Sequence, residues 1–562
     1  VNAPVTSGAD DSSTRKQAVL KSAGAMGIAT LMSRILGLVR EQVFAYLFGA
    51  GHATDAFQVA FRIPNLLRDL FAEGAMSAAL VPVFTQVREV EGDRRAWRVA
   101  GLVFRVLFVS VALLAAVGIL TAPGLVSLYA DSYREIPGKF ELTVSMTRLL
   151  FPFFPLVALA AAFMGVLNAF SRFFIPAFSS ALFNLISISV GATLAILLPG
   201  VSDVDPIIGM AIGVLAGGAV QALSQVPSLR SVGYRWQPRG PQDPVWHRDP
   251  ALRRMLLLMG PGFLGLAATQ INVLINTILA TSAAAGAVSW LNYAFRLMQF
   301  PIGIFGVSMA AATQPAVARL WVRKDAQGVA DQLERSLKQV FAINLPASAG
   351  LAFLGVPIIA LLFQYGRFTA HDAESTAWAL AAYSVGLCAY SAVKVLVPAC
   401  YALGNTRSAV ISSLISIGTT LILNIWLVRF LGYAGLALGT SIAALLNGIY
   451  LLVRIRNILG TAGGSFSLLR IGSAFLLHGL VSLLMGLTCW VSWRWGWAPF
   501  EVALIAGAPH WALPGIRAVG VGLLVLEGVF VLLLLARLLG VQEILETTRF
   551  FTSRLKNKLL RK

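Results

Sequence analysis

Between Ser33 and Gln86 the chain reads SRILGLVREQVFAYLFGAGHATDAFQVAFRIPNLLRDLFAEGAMSAALVPVFTQ. The stretch is apolar enough for two membrane-crossing helices, yet it holds Arg34, Arg40, Glu41, Asp55, Arg62, Arg68, Asp69 and Glu73. The two properties conflict unless the charges avoid lipid, because an ionised side chain at mid-bilayer costs about 3 kcal/mol or more. With about 100° between successive residues, Asp55, Arg62, Asp69 and Glu73 fall in a stripe roughly 40° wide on one helix face. Arg34 and Glu41 share a face of the preceding helix, with Arg40 about 120° away. Opposite charges offset part of each other's desolvation, so some of this set is structural pairing.

The rest of the chain supplies the membrane context. Of 562 residues, 57% are apolar and 12% charged, and mean hydropathy is +0.77. Soluble domains carry about 25% charged residues, so a soluble multidomain enzyme is excluded. Fourteen apolar stretches are long enough to cross a bilayer, near 18–48, 54–86, 98–121, 142–170, 174–199, 206–229, 252–281, 286–318, 336–365, 373–402, 407–430, 433–456, 468–493 and 512–538. With the N-terminus inside, thirty Lys and Arg fall on inner segments and six on outer ones, Arg134 and Lys139 among the six. The positive-inside rule therefore places both termini in the cytoplasm. The same scatter over many short loops excludes nucleic acid as the partner of the +19 net charge.

Internal similarity divides the first twelve spans. AFRIPNLL (Ala60–Leu67) recurs as AFRLMQFP (Ala294–Pro301), with AFR triplets 234 residues apart, and Arg172 of NAFSR and Arg407 of LGNTR are 235 apart. Parallel repeats of this kind predict two pseudo-symmetric halves around a central cavity. The expected organisation is a disordered N-terminus at 1–17, six-helix halves at 18–230 and 252–458, and a cytoplasmic linker at 231–251 between them. Two additional helices follow at 466–540, and the basic tail 541–562 reads as an interfacial amphipathic helix on anionic lipid.

Eight cations fall inside spans (Arg34, Arg40, Arg62, Arg68, Arg105, Arg148, Arg296 and Lys394), against four acids (Glu41, Asp55, Asp69 and Glu73). Arg105 and Arg148 read as snorkelling residues. Arginine outnumbers lysine seven to one, which suits bidentate recognition of phosphate or carboxylate. The cavity thus reads as a hydrated anion site. Pro64, Pro152, Pro155, Pro261 and Pro301 interrupt spans, as helices lining a cavity tolerate.

Covalent chemistry has little to stand on. GAGHAT (Gly49–Thr54) lacks the third glycine of a dinucleotide fingerprint, and no GxxxxGK[ST] loop or HExxH occurs. The five histidines are scattered, and Cys388, Cys400 and Cys489 form no CxxC. No metal site and no cofactor are expected.

The run Ser33–Gln86, with SWLNYAFRLMQFPIGIFG (Ser289–Gly306), closely resembles the MurJ (MviN) lipid II flippases of the multidrug/oligosaccharidyl-lipid/polysaccharide exporter superfamily. The resemblance implies movement of the undecaprenyl-diphosphate-linked peptidoglycan precursor from inner to outer leaflet by alternating access. It assigns substrate arginines to Arg34, Arg40, Arg68 and Arg296 and functional acids to Asp55 and Glu73, with Glu41, Arg62, Asp69 and Asn65 as secondary candidates. It also implies a groove for the polyprenyl tail in the last two helices. Phe295 and Gln299 stand where relatives often carry acids, and 252–281 and 407–430 offer Asn272, Asn276 and Asn424 but no carboxylate. A carboxylate-assisted sodium site, found in some members, is therefore not expected, which leaves membrane potential or protons as the drive. The implied protein is a monomer of the bacterial cytoplasmic membrane, with membrane lipids and cell-wall synthesis or division proteins as partners. Alternatives are an exporter of another anionic lipid-linked glycan and a membrane enzyme acting on polyprenyl-linked sugars.

Overall fold

A computed structural model describes residues 8–72, 75–200, 204–235, 248–507 and 509–548, and among them every regular element is helical. The chain forms two compact units, Val1–Gln270 and Ile271–Lys562. The first contains α1 (Gly8–Phe48), α2 (His52–Ala72), α3 (Ala75–Glu91), α4 (Asp93–Leu120) and α5 (Ala122–Ala130). It continues with α6 (Lys139–Leu150), α7 (Phe153–Ala169), α8 (Phe174–Leu197), α9 (Ile207–Leu223) and α10 (Val226–Ser231). The division falls within α11 (Pro250–Thr281). The second unit holds α12 (Ala287–Pro301), α13 (Val307–Val322), α14 (Ala326–Phe353), α15 (Gly355–Phe363) and α16 (Ala370–Ala402). After these come α17 (Thr406–Leu431), α18 (Tyr433–Thr461), α19 (Leu468–Val491), α20 (Ala498–Gly507) and α21 (Leu513–Leu538).

Among the described residues ten helices, or eleven with the pair α14–α15 that bends by 74°, are long and apolar enough to cross a membrane. They coincide with eleven of the expected spans. The other three expected spans, 18–48, 54–86 and 252–281, each include residues outside the described side chains.

Local chemistry sets the helix ends. Gly138 (φ 75°) and Gly286 (φ 92°) adopt the left-handed turn that starts α6 and α12. Thr369 and Asp372 form a reciprocal capping box on α16, and Asn405 caps α17. Pro64 lies inside α2, where it removes one backbone donor without ending the helix. After Pro301 a π-helical turn, Ile302–Gly306, separates α12 from α13.

Packing follows small residues and aromatic clusters. On α9, Gly209, Gly213 and Gly217 recur every four residues against α8, and a Cβ on Gly213 would lie 2.6 Å from the Ser187 carbonyl oxygen. That row lets the two backbones meet. Beside it, Phe44, Phe57, Phe153 and Phe183 join α1, α2, α7 and α8. A second core stacks Trp97 on Phe170 at 5.3 Å among residues of α3, α4 and α7. In the second unit Leu333, Leu337 and Val340 of α14 pack with Leu396 and Leu451.

Helix α1 begins at Gly8. At the start of the tail, Val541 and Ile544 are buried against Ala342, Val481 and Ala536, and Glu543 lies 3.5 Å from Lys338. Residues 549–562 lie outside the described residues. The first added helix continues past its expected end at 493, through a π-helical turn (Ser492–Trp497) into α20.

Candidate functional site

The charged residues of Ser33–Gln86 separate into three environments. Arg34 is exposed on α1. Two turns on, Arg40 is buried, donates from Nη2 to Glu41 Oε1 at 3.0 Å and lies 5.6 Å from the centroid of the Phe183 ring. Burial of both partners makes this pair expensive to break, because a buried charge loses its opposite.

Below Pro64, α2 carries a polar network centred on Asp69. Arg68 donates to Asp69 Oδ1 from Nε at 3.1 Å and from Nη2 at 2.7 Å. The other carboxylate oxygen accepts from Asn65 Nδ2 at 3.4 Å and from Gln270 Nε2 at 3.3 Å. Arg68 and Asp69 side chains remain 24% and 22% exposed, so solvent or a ligand reaches them. Asn65 Oδ1 is buried with no hydrogen-bond partner among the described residues. Arg62, one helical turn above Asn65, is half-buried, and Glu73 lies outside the described residues.

Asp55, at the start of the stripe, is sealed off from its other members. It is 1% exposed and accepts from Lys139 Nζ at 3.2 Å, and Lys139 is itself 1% exposed. The ammonium also sits 4.1 Å from the centroid of Tyr133. Helical spacing put Asp55 on one face with Arg62 and Asp69, but α6 covers that end of the face and supplies its counter-charge. Lys139 reads from sequence as an ordinary outer-loop cation, and neither it nor Gln270 carries any local signal of its role.

In the second unit Arg296 is half-buried on α12, beside Phe295, whose ring meets Tyr383 at 5.5 Å. Asn292 Nδ2, one turn earlier, is buried with no hydrogen-bond partner among the described residues. Lys394 and, in the first unit, Arg148 are exposed, and Arg105 Nε donates to the Gly101 carbonyl at 3.1 Å. Between α11 and α17, Asn272 Nδ2 donates to Thr420 Oγ1 at 3.4 Å, and Asn424 bonds Asn276. These rungs are neutral. No group of three or more His, Cys, Asp or Glu that could hold a metal occurs among the described residues.

Apolar spans interrupted by paired and half-buried arginines mark a polytopic membrane protein of the transporter class. The sequence model of the family described as lipid II flippase MurJ matches residues 44–507. A lipid II flippase MurJ of Burkholderia cenocepacia is 35% identical over 457 residues, covering 80% of this chain and 87% of its own. A probable lipid II flippase MurJ of Vibrio cholerae is 35% identical over 444 residues, covering 77% and 82%. Among solved structures, a lipid II flippase MurJ in an inward closed conformation matches with TM-score 0.71 and 25% identity over 91% of this chain and 98% of its own. An inward-facing multidrug exporter of the MATE family shares the fold alone, with TM-score 0.64 and 16% identity over 78% of this chain and 99% of its own. The chain belongs to the MurJ lipid II flippase family.

Proposed function

We propose that this protein moves lipid II, the polyprenyl-diphosphate-linked peptidoglycan precursor, from the inner to the outer leaflet of the bacterial cytoplasmic membrane. The observation that carries the reading is family membership across four-fifths of the chain, joined to arginines set into apolar helices. Arg34, Arg40, Arg68 and Arg296 supply the charge that a diphosphate and peptide carboxylates require. Arg68 is the best placed in the first unit, because its pairing with Asp69 leaves it partly open while Asn65 and Gln270 keep the acid satisfied.

In the full reading the chain has fourteen spans in two six-helix halves that alternate access to a shared cationic cavity. α19 and α21 form the addition beside which the lipid tail passes. Both termini are cytoplasmic, the protein works as a monomer without a covalent catalytic site, and membrane potential or protons drive the cycle. Asp55 acts through its pair with Lys139 rather than on substrate.

The test is leaflet-resolved detection of lipid II in cells depleted of this protein. Accumulation on the inner leaflet is expected. Unchanged sidedness with chemically altered lipid would instead support an enzyme acting on polyprenyl-linked sugars.

A further inference from the structure

Each unit ties the start of its arginine-bearing helix to the start of a following helix, and the two ties occupy corresponding places in the repeat. In the first unit the tie is Asp55 on α2 to Lys139 on α6, both 1% exposed. In the second, Trp290 on α12 donates from Nε1 to Asp372 Oδ1 on α16 at 3.0 Å. Asp55 and Trp290 are 235 residues apart, and Lys139 and Asp372 are 233 apart, each within one residue of the 234 that separates the two AFR triplets. The chemistry differs while the geometry recurs: the acid sits on the earlier helix in one unit and on the later helix in the other.

Both ties are held from several sides. Thr54, Ala56, Val59 and Ala60 around Asp55 are fully buried. Asp372 Oδ2 also accepts from the Thr369 backbone and hydroxyl, both at 2.9 Å, and Tyr433 packs on the Trp290 ring at 4.9 Å. Further along, each helix carries a proline. Beyond Pro64, residues 65–69 are only half-buried, and beyond Pro301 the backbone widens into its π turn. A missing backbone donor or a π turn is where a helix bends.

We propose that Lys139 and Trp290 are positioning residues that pin the outer ends of α2 and α12, so that movement during transport is confined to the stretches beyond Pro64 and Pro301. The terms outer and inner rest on the orientation proposed above; the pinning itself does not. Lys139 would thereby set where Arg68 swings, without touching substrate.

The experiment measures distances by spin labelling in the full chain, in lipid nanodiscs with and without added lipid II, after Cys388→Ser, Cys400→Ser and Cys489→Ser. Labels at His52→Cys with Glu141→Cys report the pinned end of α2, and Leu66→Cys with Arg172→Cys report its free end. Ala285→Cys with Glu374→Cys report the tie of α12. The pinned pairs should give one narrow distance in every condition, and the 66–172 pair should give two populations that Pro64→Ala merges into one. Lys139→Met should broaden the 52–141 distance and Trp290→Phe the 285–374 distance, whereas Lys139→Arg should keep the narrow form. The proposal is overturned by two populations at 52–141 in the unaltered helix, by a single population at 66–172, or by an unchanged 52–141 distance in Lys139→Met. Should Lys139→Met fail to reach the membrane, the wild-type and Pro64→Ala distances still decide. A protein that moved no lipid II would defeat the proposed function, while the distances without lipid II would still decide for or against the pinning.

Discussion

Arg40 and Arg68 are both expected to meet anionic groups, yet their neighbours give them different failure modes. Arg40 and Glu41 are 9% and 3% exposed, and breaking a buried pair by deleting one partner costs about 3–5 kcal/mol. Arg40→Ala should therefore lower the amount of protein in the membrane. Removing Arg68 leaves Asp69 with donors from Asn65 and Gln270, so Arg68→Ala should keep normal abundance while transport falls. An arginine bonded to an ionised oxygen contributes about 1.5–3 kcal/mol, which is one to two powers of ten in binding. Immunoblots of membranes beside leaflet-resolved lipid II separate the two cases. Equal abundance and equal transport loss in both variants would remove the distinction. Helical spacing set Glu41 on the face of Arg34 with Arg40 about 120° away, whereas the fold pairs Glu41 with Arg40 and Asp69 with Arg68. The Lys139–Asp55 pair, 84 residues apart, is not legible in sequence, because only the fold brings α6 across α2.

At the scale of elements, α8 and α9 show how little volume a membrane interface spares. Every contact a Cβ on Gly213 would make within 2.7 Å is with backbone of Ser187 or Gly191, which cannot rotate aside. Gly213→Ala should destabilise the first unit by about 1–3 kcal/mol, the usual cost of overpacking. The measurement is thermal unfolding of the detergent-solubilised protein. A transition at the wild-type temperature would show that α8 and α9 separate without penalty. Gly124→Ala, with open space around its Cβ, serves as the neutral control. The glycine row 209, 213, 217 is visible in the sequence as small residues at helical spacing, but its partner helix is not. The last helices teach the converse. Arg517 of α21 donates to the Ala360 and Gln364 carbonyls at the end of α15 and to Glu501, an anchorage that no spacing rule suggests.

For the whole molecule, orientation is the claim most exposed to test. With native cysteines replaced, Ala284→Cys should react with an impermeant thiol reagent added outside the cell, and Asp93→Cys should react only after the membrane is opened. The basis is the thirty-to-six imbalance of basic residues across alternate segments. The reverse pattern would overturn the topology and with it the assignment of inner and outer ends.

The sequence by itself determined that this is a helical membrane protein, and it located the stretch where charge is concentrated. These follow from hydropathy, helical period and the energetics of charge in hydrocarbon, all of which act along the chain. Residue identities in that stretch also placed it within its family. Tertiary structure alone decided which charges are spent on one another. Asp55 is sealed against Lys139, Asp69 is shared among Arg68, Asn65 and Gln270, and the tail's first turn is captured by α14 and α19. Whether a buried charge is paired or left available depends on which distant helix covers it, and that is a property of packing rather than of spacing.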